Sequence, residues 1–101
     1  MKTPDINAIL RANPRPAKYG APMGARDYVG EGTGKLYCQR VRFVDGDYAA
    51  DGTYWGGGRD SLPLYCIFSP EDGTRIYVRA ATRAAAIAQA LEDCPEIEER
   101  I

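Results

Sequence analysis

The chain contains no histidine, so it lacks the commonest general base and the commonest metal ligand of protein sites. Its three cysteines, Cys38, Cys66 and Cys94, are an odd number separated by wide gaps, and a disulfide framework is therefore not expected. No apolar run is long enough to span a membrane, and no charged leader precedes an apolar stretch. We expect a cytoplasmic protein with reduced, buried thiols, no cofactor and no membrane partner.

Large aliphatic side chains are also scarce, although 45% of the residues are apolar. Fourteen of the apolar residues are alanines and only sixteen are Ile, Leu or Val, beside two Phe, one Trp and seven Tyr. A length of 101 residues suffices for one domain but not for two independent cores. We therefore expect a single domain over residues 1–101, with a thin core in which several tyrosines are structural.

The net charge of −1 conceals an uneven distribution of charge along the chain. Residues 1–44 contain eight Lys or Arg against three acidic residues, whereas residues 45–101 contain five against eleven. This balance gives no large attractive field of the kind that nonspecific DNA-binding proteins carry. A local basic surface that binds an acidic partner is compatible with this overall charge balance.

The N-terminal third is predicted to be a short helix followed by an irregular arm. Thr3-Pro4-Asp5 favours a helix start, because Thr can cap, Pro suits the first helical position and Asp stabilises the positive end of the dipole. The prolines within residues 13–16 end this helix after about two turns. Residues 17–34 contain five Gly and one Pro without periodicity. Residues 1–34 are therefore interpreted as a helix plus a Gly/Pro-rich arm.

Three segments have the β-branched and aromatic composition of strands, namely residues 35–44, 62–68 and 74–80. The turn signal Pro70-Glu71-Asp72-Gly73 joins the last two into a hairpin, and a long Gly-rich connection precedes them. The predicted fold is α+β, with a three-stranded or slightly larger antiparallel sheet packed on a C-terminal amphipathic helix, and with a short N-terminal helix.

The C-terminal helix is predicted to begin at a Thr82 cap and to end near Asp93, before Cys94-Pro95. Its apolar residues at helical spacing are expected to pack on the sheet, and they are Ala84, Ile87, Ala88 and Leu91. Residues 35–93 thus form the predicted core unit. The acidic tail, residues 96–101, is either a short helix or frayed.

Three aspartates in the Gly-rich connection, Asp45, Asp47 and Asp51, are the only concentrated carboxylates that could gather a hard cation. The calcium-loop pattern fails, because its fifth, sixth and twelfth positions lack the oxygen ligand, the glycine and the glutamate. Asx turns are the favoured interpretation. The glycines of residues 30–35 likewise lack phosphate-loop spacing and precede a strand, so they indicate a hinge.

Alternation along the strands predicts two differently used faces of the sheet. The core face is expected to hold Leu64, Cys66 and Phe68 together with Ile76, Val78 and Ala80, with Val41 and Phe43 on the first strand. The opposite face would then present Arg40, Arg42, Tyr65, Arg75, Tyr77 and Arg79. Interleaved Arg and Tyr side chains suit an acidic protein surface or nucleic-acid bases and phosphates. A solvated face on which Arg stems cover Tyr rings is the alternative.

Trp55 lies among glycines in the connection, and glycines permit close approach of another backbone. The ring is either packed as a plug, which is the favoured interpretation, or presented to a partner. The candidate partner-binding residues are therefore Arg40, Arg42, Trp55, Tyr65, Arg75, Tyr77 and Arg79, and no catalytic or metal-binding residue is predicted.

Several short motifs resemble those of small uncharacterised proteins of phages, prophages and plasmids. They are GDY at 46–48, GTYWGGG at 52–58, PLYC at 63–66, VRA at 78–80 and Arg83, with KYGAPMG upstream at 18–24. The resemblance covers most of the chain but brings no known activity, so it transfers no catalytic residue. It implies an accessory protein of a mobile genetic element that works in the cytoplasm of a bacterial host.

The sequence thus leads to three hypotheses for function. The first is a noncatalytic binding protein, for instance an inhibitor of a bacterial defence complex such as CRISPR, with a host or viral protein or nucleoprotein as partner. The second is a small nucleic-acid-binding protein that uses the Arg and Tyr face. The third is a metal-dependent enzyme built on the Asp45, Asp47 and Asp51 loop. The oligomeric state is not determined by the sequence.

Overall fold

The computed structural model describes residues 4–12, 32–45, 48–50, 55 and 62–101. Within these residues the elements follow in the order α1, β1 to β5, α2 and a C-terminal 3₁₀ helix. Their bounds are Ile6–Ala12, Tyr37–Arg40, Phe43–Asp45, Tyr48–Ala49, Leu64–Phe68, Arg75–Arg79, Arg83–Asp93 and Pro95–Arg100. The predicted α+β class, with a short N-terminal helix and a C-terminal helix, is confirmed.

The main sheet is antiparallel, with strand order β1-β4-β5. The predicted hairpin is present, since Leu64 lies opposite Arg79 and Phe68 lies opposite Arg75. Gly73 closes the turn at φ 78°, a left-handed conformation that favours glycine. Asp72 Oδ1 accepts from the Thr74 backbone N–H at 2.9 Å, an Asx turn that ties the loop to the start of β5.

The single strand predicted over residues 35–44 is divided between two sheets. β1 pairs with β4, whereas β2 pairs with β3 in a separate two-stranded sheet. The break falls at Val41, which is buried, and at Arg42, whose N–H donates to Asn7 Oδ1 on α1 at 2.8 Å. β3 lies within the segment that was interpreted as a connection. It was not predicted, because two residues are too few to give an alternating pattern.

Both faces of the main sheet are covered, which corrects the predicted division into a core face and an open face. Residues directly opposite each other in antiparallel strands project to the same side. Tyr65 is opposite Val78 and Ile67 is opposite Ile76, so these four share one side. On that side Ile67, Ile76 and Val78 pack with α2 and the 3₁₀ helix.

The other side of the sheet carries Leu64, Cys66 and Phe68 with the β5 residues that lie opposite them. These three side chains are buried against Ile6 and Leu10 of α1 and against the small sheet. The prediction that Leu64, Cys66 and Phe68 share a core with Ile76 and Val78 is therefore wrong. The two sets belong to two separate hydrophobic clusters on opposite sides of one sheet.

Helix α2 begins as predicted, because Thr82 Oγ1 accepts from the Ala85 N–H at 3.1 Å. Its packing face is rotated from the predicted one. Ala86 and Ala90 are fully buried, with Ile87 and Leu91 packed beside them. Ala84 and Ala88 are exposed, and their expected place in the core is wrong.

The core extends beyond residue 93 into the acidic tail, which forms the 3₁₀ helix. Ile97 is 0% exposed and packs with Ala86 and Ala90. Arg100 then fastens the tail, because its Nε donates to the Gly34 carbonyl at 3.0 Å and its Nη2 to Asp72 Oδ2 at 2.5 Å. The tail therefore links the segment before β1 to the hairpin turn.

Helix α1 is held against β1 by side-chain amides. Gln39 Oε1 accepts from the Ile6 N–H at 2.7 Å, and its Nε2 donates to the Pro4 carbonyl. Asn7 Nδ2 donates to the Arg40 carbonyl at 3.1 Å. The part of the predicted arm within residues 13–31 lies outside the described residues. No helix of the described ranges is long and apolar enough to cross a membrane.

Candidate partner-binding surface

The predicted partner-binding residues do not share one face of the sheet. Arg40 lies directly opposite Tyr65, and both project toward α2. Arg75, Tyr77 and Arg79 lie opposite Phe68, Cys66 and Leu64, and they project toward α1 and the small sheet. Arg42 lies in the link between β1 and β2. The expected open face of four arginines and two tyrosines is therefore wrong, and the binding role of its members stays a prediction.

The arginines are gathered instead at one end of the sheet, where β1 and β5 finish and β4 begins. Arg40 ends β1 and Arg79 ends β5, next to Leu64 at the start of β4. Arg83 opens α2 and reaches back to β1, where its Nε donates to the Cys38 carbonyl at 2.9 Å. Arg42 follows Arg40 beyond the strand. We call this group of Arg40, Arg42, Arg79 and Arg83 the basic end.

Two of these arginines are partly engaged within the protein. Arg79 Nη1 donates to the Leu62 carbonyl at 2.8 Å, and its guanidinium carbon lies 5.5 Å from the centre of the Phe43 ring. Arg83 makes the contact with β1 described above and remains exposed. Arg40 and Arg42 are exposed as well, and their fixed contacts are made through the backbone. The basic end thus combines oriented guanidinium groups with exposed ones.

Two large apolar side chains are exposed beside these arginines. Val44 is 61% exposed and Leu62 is 50% exposed. The position of Leu62 is set by the Arg79 hydrogen bond to its carbonyl, and Val44 follows Phe43, on which Arg79 lies. Scattered exposed apolar side chains are ordinary in soluble proteins. Leu62 precedes β4 at the end of the sheet that carries Arg40 and Arg79, and Val44 lies in β2, two residues after Arg42.

Trp55 packs against the side of the sheet on which Arg75 and Arg79 of β5 lie. Its ring centre is 4.6 Å from that of Tyr77, and both side chains are half-buried against the cluster of Ile6, Leu64 and Phe68. This geometry favours the packed interpretation of the Trp55 ring. Tyr77 is two residues from Arg79 on the same side of β5, so the aromatic pair adjoins the basic end.

Acidic residues are concentrated at the opposite end of the sheet. They belong to the hairpin turn, the end of α2 and the 3₁₀ helix, and they are Glu71, Asp72, Glu92, Asp93, Glu96, Glu98 and Glu99. All except Asp72 are exposed. The Thr74 N–H, the Thr74 hydroxyl and Arg100 hold the pKa of Asp72 below its usual value of 3.8. The molecule therefore has oppositely charged ends.

Two of the three cysteines, Cys38 and Cys94, have a raised pKa, which favours the protonated thiol over the thiolate. Burial raises the pKa of Cys38, an effect that nearby Arg83 opposes. Cys94 lies beside the acidic end, and a hydrogen bond to Glu96, assisted by burial, raises its pKa to about 11. Within the described residues no group of His, Cys, Asp or Glu could hold a metal ion. Asp47 and Asp51, which belong to the loop considered as an alternative cation site, lie outside those residues.

Sequence reasoning missed Arg83, Val44 and Leu62. A signal for Arg83 was present, because a cation in the first turn opposes the helix dipole and so gives the helix no stability. Val44 and Leu62 resembled ordinary strand residues, and only their neighbours in space distinguish them. In comparisons with protein-family models, curated proteins and solved structures, this chain gave no match.

Proposed function

We propose that this chain is a noncatalytic binding protein of a mobile genetic element, and that it contacts a bacterial defence complex through its basic end. The observation that carries the proposal is that Arg40 ends β1 and Arg79 ends β5 at the same end of the sheet, where Arg79 donates to the carbonyl of Leu62, which is 50% exposed. Arginine is enriched at the energetic centres of protein interfaces, where apolar contact and directed hydrogen bonds act together.

The charges on α2 give independent support, because they oppose the stability of the helix. Arg83 lies in the first turn, and Glu92 and Asp93 lie in the last, whereas the helix dipole favours the reverse order. Each unfavourable charge costs about 0.3–1 kcal/mol when exposed. The charges thus place Arg83 at the basic end and the acidic residues away from it, which suits attraction of an acidic partner to the basic end.

The assignment to a mobile element rests on the motif resemblance to phage, prophage and plasmid proteins. Small proteins of this kind that lack catalytic groups commonly act by occupying a surface of a larger host complex, which is an argument from analogy. An oriented guanidinium group such as that of Arg79 is suited to this role, because less conformational entropy is lost when it binds.

The test is affinity capture from a bacterial host lysate with three forms of the full chain. The wild type is compared with the double variant Arg40→Glu, Arg42→Glu and with Arg75→Glu, which changes an arginine at the other end of β5. We expect the double variant to lose the captured complex and Arg75→Glu to keep it. Capture of the same complex by all three forms, each with wild-type circular dichroism, would refute the basic end as the contact surface.

A further inference from the structure

Resting on the proposed function, we infer that the basic end binds a short acidic protein segment whose carboxylates surround an apolar side chain. Val44 and Leu62 provide the apolar contact, and Arg40 and Arg42 pair with the flanking carboxylates. The inference specifies the chemistry of the partner, which the proposed function leaves open.

The number and engagement of the arginines favour a compact ligand. Arg79 is directed by the Leu62 carbonyl and the Phe43 ring, and Arg83 is directed by the Cys38 carbonyl. Within the basic end, the guanidinium groups of Arg40 and Arg42 are exposed and make no hydrogen bond or ion pair with the described residues. Two exposed guanidinium groups match a few carboxylates, whereas affinity for nucleic acid grows with the number of phosphates that are neutralised.

The apolar residues also distinguish between the two classes of partner. Val44 and Leu62 offer aliphatic surface, and neither side chain can stack on a base as an aromatic ring does. The aromatic candidates Trp55 and Tyr77 are half-buried against each other. An aliphatic side chain of a protein segment is the natural complement to this part of the surface.

The acidic end sets a limit on the length of an anionic ligand. A strand of five residues spans about 17 Å, which is roughly twice the screening length of about 8 Å at physiological ionic strength. A short segment at the basic end is therefore largely screened from the acidic residues of the turn and the 3₁₀ helix. A polyanion that continues along the molecule is repelled by them, in a chain whose net charge is already −1.

The experiment uses the ¹⁵N-labelled protein of residues 1–101, titrated at an ionic strength of about 0.15 M and followed by amide chemical shifts. Three probes are compared, namely the capped peptide EELLEE, the capped peptide EEGGEE of equal charge, and an oligothymidylate of similar length. We expect EELLEE to shift the amides of Val44 and Leu62 and to bind about tenfold more tightly than EEGGEE, because only the former buries leucine. The oligothymidylate is expected to bind more weakly than EELLEE.

Arg40→Glu with Arg42→Glu should abolish EELLEE binding, and Arg75→Glu should retain it. If the double variant does not fold, Arg40→Gln with Arg42→Gln replaces it, since the hydrogen bonds that these residues make to Asn7 use backbone atoms. Equal affinity for both peptides, tighter binding of the oligothymidylate, or shifts confined to the acidic end would overturn the inference. Capture of a host complex that depends on Arg40 and Arg42 would then leave the proposed function standing with a different ligand chemistry.

Discussion

Replacement of Ile97 by alanine tests whether the acidic tail is part of the folded core. Ile97 is 0% exposed and packs with Ala86 and Ala90 of α2. The change removes three carbon atoms, about 2.4 kcal/mol of transfer free energy at about 0.8 per carbon, and leaves a cavity. We expect a loss of about 3 kcal/mol, a large part of the roughly 5–15 kcal/mol typical of a domain. At about 4–8 °C per kcal/mol, Tm should fall by about 12–24 °C.

Ile101→Ala is the matched control, because it makes the same change four residues further on. Ile101 is 44% exposed and lies after the 3₁₀ helix, so we expect its replacement to cost less than about 0.5 kcal/mol. Urea unfolding followed by far-ultraviolet circular dichroism measures both variants, with an unchanged m-value as the sign of two-state behaviour. If the two variants differ by less than about 0.5 kcal/mol, the tail is not packed and the reasoning from burial is refuted.

Two further predictions concern the acidic end. The pKa of Asp72 is lowered in the fold, so its carboxylate stabilises the protein above the unfolded value of 3.8, and this contribution is lost as the pH falls below 3.8 through the lower pKa of the folded state. Unfolding free energies at pH 6 and pH 3 should therefore differ less in Asp72→Asn than in the wild type, and an identical difference would contradict the prediction. The thiolate is the reactive form of cysteine, so Cys94, with its pKa of about 11, should react slowly with iodoacetamide near pH 8.5. Glu96→Gln should accelerate this reaction, and mass spectrometry of the Cys94 peptide at timed intervals would detect a failure to do so.

The predictions from sequence succeeded where the signal lies within a few neighbouring residues. The Thr82 cap and the turn at Gly73 each depend on local chemistry of the chain, and each is present. The N-terminal helix is also present, but it begins at Ile6 and not at Pro4 as expected, and the Asp5 carboxylate accepts from the Asn7 N–H at 2.9 Å. The hairpin was predicted for the same reason, since two alternating segments flank a strong turn signal. Local chemistry therefore determines the identity of most elements of this fold.

Local chemistry did not predict which residues of the two hairpin strands share a side of the sheet. Alternation establishes which residues of one strand share a side, but the matching of sides between two strands depends on the register, which the turn sets. Phe68 lies opposite Arg75, so the six residues between them determine that Arg75 shares a side with Phe68. With the pairing shifted by one residue, Ile76 would share that side, as expected from the sequence.

The rotation of α2 was unpredictable for a different reason. Alanines occupy both the buried and the exposed positions of the helix, so hydrophobicity gives little contrast around its axis. Ala86 and Ala90 are fully buried against the sheet, and Arg83 is bound to β1. These are tertiary contacts, and the pattern of the helix alone does not contain them.

The location of the candidate site follows from how the fold uses the sheet. Both faces are covered, and polar groups at the outer edge of β1 are bound by other elements: the Leu36 N–H by the Arg100 carbonyl, and the Cys38 and Arg40 carbonyls by side chains of α2 and α1. Pairing of a partner strand along this edge is thereby hindered. The end of the sheet, with its arginines and exposed aliphatic residues, is then a better place for recognition than the predicted face. Under the proposed function, a small end of this kind would bind through a few well-placed contacts, so substitution of Arg40 and Arg42 is expected to have a large effect on binding.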